Sequence, residues 1–240
     1  MMKMSMKFLK ALTLLGLLVG ALPATAFSQD LSQLRVITSV FPPYSFEQNN
    51  EVKGVAVNVI RKAFGKLGIS PEIEIYPWAR AIHTLRQTPN AVLFSVARSQ
   101  EREAMFKWAG TVIDFDVHIY RKSERNDIDI KRLEDLKPHS FAGLNNDIKT
   151  QFLKRLGVDM YDVALEENAI KMLHADRVDL VASDKQAMEF RIEDLGLKQQ
   201  DFVSAFRLSS LSKPLYLAAN KNVDDELVEQ LRQALVTGNL

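Results

Sequence analysis

Short apolar runs rich in β-branched and aromatic residues alternate along this chain with stretches whose apolar positions recur every three to four residues. Residues 35–41 (RVITSVF) form the first such run. Residues 57–68 follow, with Ile60, Ala63, Phe64 and Leu67 on one helical face and Gly68 as a stop. Residues 72–76 (EIEIY) alternate as a strand, 79–86 place Ile82 and Leu85 on the inner side of a helix, and 91–97 (AVLFSVA) make another strand. A strand over 115–122 leads into a charged surface linker, KSERNDIDIKR. A second alternating unit comes next, with strands at 140–144, 178–183 and 202–208 and helices at 147–156, 168–175 and 185–195. A strand at 215–219 and an amphipathic helix at 224–235 complete the pattern. This alternation predicts an α/β fold in two lobes, with mixed, mostly parallel sheets flanked by helices. Ligands of such folds sit outside the carboxyl ends of the strands.

The first residues belong to a different pattern. Lys3, Lys7 and Lys10 precede an apolar stretch at 11–22 (ALTLLGLLVGAL), and Ala24-Thr25-Ala26 forms a small-x-small cleavage signature. The stretch is shorter than the ~20 residues a spanning helix needs, so residues 1–26 are expected to be a cleaved secretory signal. Its removal leaves 214 residues and takes three lysines with it, turning a formal net charge of +1 into −2. No basic stripe is left for a nucleic-acid partner. The chain has no cysteine, which excludes thiolate metal sites, thiol catalysis and lipid attachment through a cysteine. A soluble periplasmic protein is the simplest expectation.

The unusual residues cluster at strand ends. Phe41, Tyr44 and Phe46 surround Pro42-Pro43 just past the first strand, where the prolines stiffen the turn. Trp78 and Arg80 sit at the YPWAR strand-to-helix turn, where an indole can serve the core or wall a pocket. The strand at 91–97 carries Ser95 near its end and breaks into Arg98 and Arg102, four positions apart. Ser99 is a fitting N-cap for a helix beginning there, with Arg102 at its third position, a place where an anion would meet backbone N–H groups and a guanidinium. The alternative is a surface arginine paired with Glu101 or Glu103. Asn145 and Asn146 lie in another capping turn, residues 143–147. Asp184 ends the buried VDLVASD strand as a helix cap, as a partner for a cationic ligand group, or as both.

These landmarks, in this order, resemble the bacterial extracellular solute-binding proteins of family 3, the polar amino-acid uptake type, over about residues 34–235. The FPPYSF turn, the GVAVNVI segment, the Ser99-x-Glu101-Arg102 ending, the 143–147 turn and VDLVASD carry the likeness. YPWARA resembles a branch often found as orphan binding proteins. The resemblance implies a two-lobed, type II periplasmic-binding-protein fold, with lobe 1 at 30–116 plus 215–240 and lobe 2 at 117–214. It implies that Arg102 holds a ligand carboxylate and Asp184 receives a ligand ammonium. Phe41 and Trp78 would be aromatic walls, and Asn145 and Asn146 would offer backbone donors. Tyr44, Ser95, Arg80 and Arg98 complete the expected ligand-binding set. Ala97 stands where many members carry a hydroxyl, and Asn58 replaces an acid.

The resulting expectation is a monomeric binding protein that closes on an amino acid or related small carboxylate and presents it to an ABC permease or a sensor kinase. No cofactor, metal or catalytic residue is expected. An enzyme on the same scaffold, a dehydratase or transglycosylase using Glu47 or Asp184, is the alternative. The four histidines, His83, His118, His139 and His174, are scattered without ligand spacing.

Overall fold

The protein was obtained as a computed structural model that describes residues 31–236; the secretory leader expected at 1–26 lies outside the described residues. The first half of the chain contributes β1 (Arg35–Ser39), β2 (Phe46–Gln48), β3 (Glu51–Lys53), α1 (Val55–Lys66), β4 (Ile73–Tyr76), α2 (Trp78–Gln87), β5 (Ala91–Ala97), the single turn α3 (Gln100–Glu103) and β6 (Phe106–Ile113). The chain then passes into β7 (Val117–Lys122), β8 (Ser140–Leu144), α4 (Ile148–Arg155), β9 (Asp159–Val163), α5 (Glu166–His174), β10 (Leu180–Asp184), α6 (Lys185–Asp194) and β11 (Phe202–Arg207). It returns with β12 (Leu215–Asn220) and α7 (Asp225–Val236). Among the described residues no helix is long and apolar enough to cross a membrane.

Two five-stranded sheets result, in the orders β4-β1-β5-β12-β6 and β11-β7-β10-β8-β9, beside the small β2-β3 hairpin. In the first sheet β1 runs parallel to β4 and β5, while β12 runs antiparallel to β5 and β6. The second repeats this balance, with β8 parallel to β9 and β10, and β7 antiparallel to β10 and β11. The sheets are thus mixed, more evenly than strand–helix alternation predicts. The strands next to the two crossings between sheets supply the antiparallel pairs.

The core follows from the apolar runs. Every residue of β5 before Ala97 is buried, Ser95 included. Val92 and Phe94 pack with Ile60, Phe64 and Leu231 of α1 and α7, while Leu93 and Val96 pack with Ala81 and Leu85 of α2 on the other face. A strand covered on both faces has no solvated positions, so it reads as a continuous apolar run. Each large side chain buried there contributes about 1.5–3 kcal/mol.

Two glycines let elements approach closely enough to shape what lies between the sheets. A Cβ on Gly54, at φ 130°, would sit 2.2 Å from the Tyr44 carbonyl oxygen, so α1 starts hard against the FPPYSF turn. A Cβ on Gly143 would sit 2.4 Å from Thr150 Oγ1, so α4 lies flat on β8.

Candidate functional site

The carboxyl ends of β1, β4 and β5 point toward the end of β8 and the start of α5, and a cavity of about 40 Å3 lies between them. That is room for roughly three waters at ~10–15 Å3 each. Its first-lobe and hinge-side wall is made by Ser39, Val40, Phe41, Trp78, Ser95, Ala97, Arg102, Phe115 and Leu215, and its second-lobe wall by Leu144, Asp147, Ile148, Lys149 and Glu166.

Arg102 is 7% exposed. Its backbone N–H reaches the Ser99 hydroxyl at 3.4 Å, so Ser99 caps α3 as its position in the sequence predicts. The guanidinium lies 5.2 Å from the centre of the Trp78 ring and donates from Nη1 to the Ala97 carbonyl at 3.0 Å. Among the described residues no carboxylate forms an ion pair with it. Burial pulls its pKa down from the ordinary arginine value, and the charges of Asp147 and Glu101 oppose that pull. A buried cation with spare N–H donors is poised to receive an anion.

Ser95 stands beside it in an unusual backbone. Its φ is 64°, and the β12–β5 register shifts opposite it, so β5 carries a bulge there. A left-handed serine costs about 1–2 kcal/mol, and such strain concentrates at functional positions. The Ser95 Oγ, which lines the cavity, is buried without a hydrogen-bond partner.

The second-lobe wall is ionic and paired within itself. Asp147 caps α4 by accepting from the Lys149 N–H at 2.8 Å, and its Oδ1 also lies 3.0 Å from Lys149 Nζ. Lys149 Nζ is 3.6 Å from Glu166, which pairs with Arg191 at 3.2 Å and accepts from the Ser183 hydroxyl at 3.0 Å. Arg191 reaches Glu167 as well, at 3.1 Å. Burial alone would push Lys149 down and Glu166 up. The charges of Asp147 and Glu166 outweigh it for the lysine, which is held above its ordinary value. Those of Arg191 and Lys149 outweigh it for the glutamate, which is held below. Both groups stay ionised at neutral pH.

Of the residues singled out from the sequence, Arg102, Trp78, Phe41 and Ser95 come together in this cavity. Asp184 lies outside its lining. It is 1% exposed, and three donors take up its carboxylate: the Tyr44 hydroxyl at 2.8 Å, the Asp116 N–H at 2.9 Å and the Ala187 N–H at 3.0 Å, the last being the cap of α6. The carboxylates that share the cavity with Arg102 are instead Asp147 and Glu166. Tyr44, raised above its ordinary pKa by burial and by Asp184, serves this cross-lobe bond. Arg98 pairs with Glu103, Nη2 to Oε2 at 3.0 Å, and Arg80 stacks on Tyr76 at 4.3 Å; neither lines the cavity. Asn145 donates its N–H to the Val163 carbonyl at 2.9 Å. Asn146, at φ 59°, gives its carbonyl to Trp78 Nε1 at 2.9 Å, a second bond between the lobes. Glu47 is exposed on β2.

Lys149, Glu166 and Arg191 did not stand out in the sequence. The one available signal was their position: Lys149 and Glu166 sit at the starts of helices that follow second-lobe strands. Asp147 was visible as a cap, not as a cavity wall.

Comparison with known proteins bears on the fold. The bacterial extracellular solute-binding proteins, family 3, match residues 34–236. A histidine kinase sensor domain with similarity to periplasmic binding proteins superposes with a TM-score of 0.77 at 20% identity, over 87% of this chain and 91% of that one. An ancestral arginine-binding protein bound to arginine gives 0.73 at 23% identity, over 85% and 91%. The substrate-binding protein of an amino acid ABC transporter gives 0.71 at 15% identity, over 85% and 92%. At these identities the structural likeness speaks for the fold alone. No curated protein sequence matches the chain.

Proposed function

Because the chain belongs to the bacterial extracellular solute-binding proteins, family 3, with residues 34–236 matched, we propose that it captures a small carboxylate-bearing solute, an amino acid or a related compound, between its lobes. It does so as an exported, periplasmic monomer and offers the closed form to a membrane partner, an ABC permease or a sensor. The observation that carries this reading is Arg102, a buried guanidinium without an ion-pair partner that lines a cavity both lobes enclose. The unpartnered Ser95 hydroxyl beside it supplies a second donor.

The mechanism follows from where the contacts lie. The Tyr44–Asp184 and Trp78–Asn146 bonds cross between the lobes and form without a solute, so they favour closure by a fixed amount. A solute adds bonds to Arg102 and Ser95 from one side and apolar contact with Leu144 and Ile148 from the other. It shifts the open–closed balance only by this differential affinity.

Calorimetric titration of the exported chain with amino acids and small carboxylates tests the reading. Saturable heat whose affinity falls about 100-fold in Arg102→Gln is expected. Equal affinity in the variant would remove Arg102 from the site, and silence toward every carboxylate would end the proposal.

A further inference from the structure

We propose, building on the solute-binding reading above, that this cavity selects small carboxylates with an apolar body and no ammonium group, and that Lys149 is the residue that turns α-amino acids away. The walls offer an anion more than they offer a cation. On the first-lobe side the polar side chains facing the cavity are the guanidinium of Arg102, with N–H groups beyond the one given to Ala97, and the neutral hydroxyls of Ser95 and Ser39; none carries negative charge. They suit one anionic group.

An ammonium needs an acceptor of negative charge, and each acid nearby is already engaged. Asp184 is outside the lining and holds three donors. Glu166 has Lys149 and Ser183 on one oxygen and Arg191 on the other. Asp147 takes both the amide and the ammonium of Lys149 on Oδ1, leaving Oδ2 as the carboxylate oxygen outside these bonds. A ligand ammonium placed on Oδ2 would share a single carboxylate with a second, fully buried ammonium. The two like charges would repel across a medium that screens poorly. Lys149 cannot relieve this by losing its proton, because Asp147 and Glu166 hold it protonated. Building a like charge against the unwanted ligand is how a site gains selectivity beyond its attractive contacts.

The rest of the lining agrees. Val40, Phe41, Phe115, Leu144, Ile148 and Leu215 surround the volume in front of Arg102. They can cover a hydrocarbon or aryl body and offer no side-chain hydrogen bond, and the rings of Phe115 and Phe41 already have the cations of Lys149 and Arg191 against them, at 5.5 and 5.7 Å.

Matched pairs that differ only by the amino group test the claim: valine with 3-methylbutanoate, leucine with 4-methylpentanoate, and phenylalanine with 3-phenylpropanoate, each titrated calorimetrically into the exported chain. At least one des-amino acid is expected to bind at least tenfold more tightly than its partner. In Lys149→Gln, checked for folding by thermal melt, the preference should shrink at least tenfold. An amino acid that binds as tightly as, or more tightly than, its des-amino partner in every pair overturns the selectivity while leaving the solute-binding reading intact. A folded Lys149→Gln with an unchanged ratio overturns the role of the lysine. Silence from all six compounds overturns the class claim. If amino acids and carboxylates outside these pairs are silent as well, the solute-binding reading falls with it. Should the variant not fold, the wild-type ratios decide the selectivity, and Lys149→Met, which removes the charge while keeping the length of the side chain and should shrink the preference likewise, decides the residue.

Discussion

The wall that the first lobe gives the cavity carries one ionised group, Arg102, bonded to a backbone carbonyl. The second lobe's wall carries three, Asp147, Lys149 and Glu166, and every one has an opposite charge within 4 Å. Both walls are buried, so both bear a desolvation cost, but they bear it differently. In the second lobe the charges offset one another inside the folded protein and fix how α4, α5 and α6 meet. In the first lobe the cost is left standing until an anion arrives. One wall uses charge to hold its own shape, and the other uses it to bind.

Breaking the self-paired wall should produce the largest effect. Glu166→Gln leaves Lys149 and Arg191 sharing fewer acids in a buried setting, and loss of one partner of a buried pair costs about 3–5 kcal/mol. Urea unfolding should register that loss at pH 7. Glu166 is held below its ordinary value in the fold, so its contribution is complete above the unfolded value of about 4.3 and fades as pH falls through the lower, folded one. Wild type should therefore lose stability below about pH 4.3 more steeply than Glu166→Gln does; parallel profiles would remove the glutamate from the network.

The other wall should respond in the opposite sense. Arg102→Gln is expected to weaken carboxylate binding by about 100-fold, the equivalent of ~2–3 kcal/mol for a charge-assisted hydrogen bond. The same change should leave unfolding stability unaltered or slightly higher, because it removes a buried cation that lacks an ion partner. A marked drop in stability with affinity retained would reverse the assignment of the two walls.

A smaller effect separates the seam from the walls. Tyr44→Phe deletes one buried hydrogen bond to a charged group, worth about 1.5–3 kcal/mol, and part of that falls on closure. Small-angle scattering of the unliganded chain should show a larger radius of gyration than wild type, with ligand restoring the compact form. The mildest change is Trp78→Phe, which loses the bond to Asn146 and leaves a smaller ring against Arg102, about 1 kcal/mol. It should weaken ligand affinity less than tenfold.

The sequence disclosed these regions unequally, for physical reasons. β5 was legible because burial on both faces makes it a continuous apolar run, and Ser99 because capping is a local event. β6 escaped notice because Lys107, Gly110 and Thr111 interrupt its pattern; its pairing comes from β12, about a hundred residues later. β9 is an edge strand with no fully buried residue, so it carries no apolar signature. The same division runs through the site. Arg102 and Trp78 follow strand ends, Ser95 lies near the end of β5, and all three could be anticipated from position. Asp184 was also anticipated from position, but what its carboxylate does depends on Tyr44, 140 residues away. The pairing of Lys149 with Glu166 depends on how α4 and α5 dock, which no local window contains.

The indole of Trp78 spans the seam, its nitrogen resting on the Asn146 carbonyl of the opposite lobe. When the lobes part, that carbonyl gives way to water and the ring becomes wet, so the emission of Trp78 should move to longer wavelength. Trp108, the other of the two tryptophans, is buried in the first lobe away from the cavity, with its own nitrogen unbonded. It should glow unchanged throughout. The molecule therefore carries an intrinsic optical gauge of its own opening, together with an internal standard to read it against.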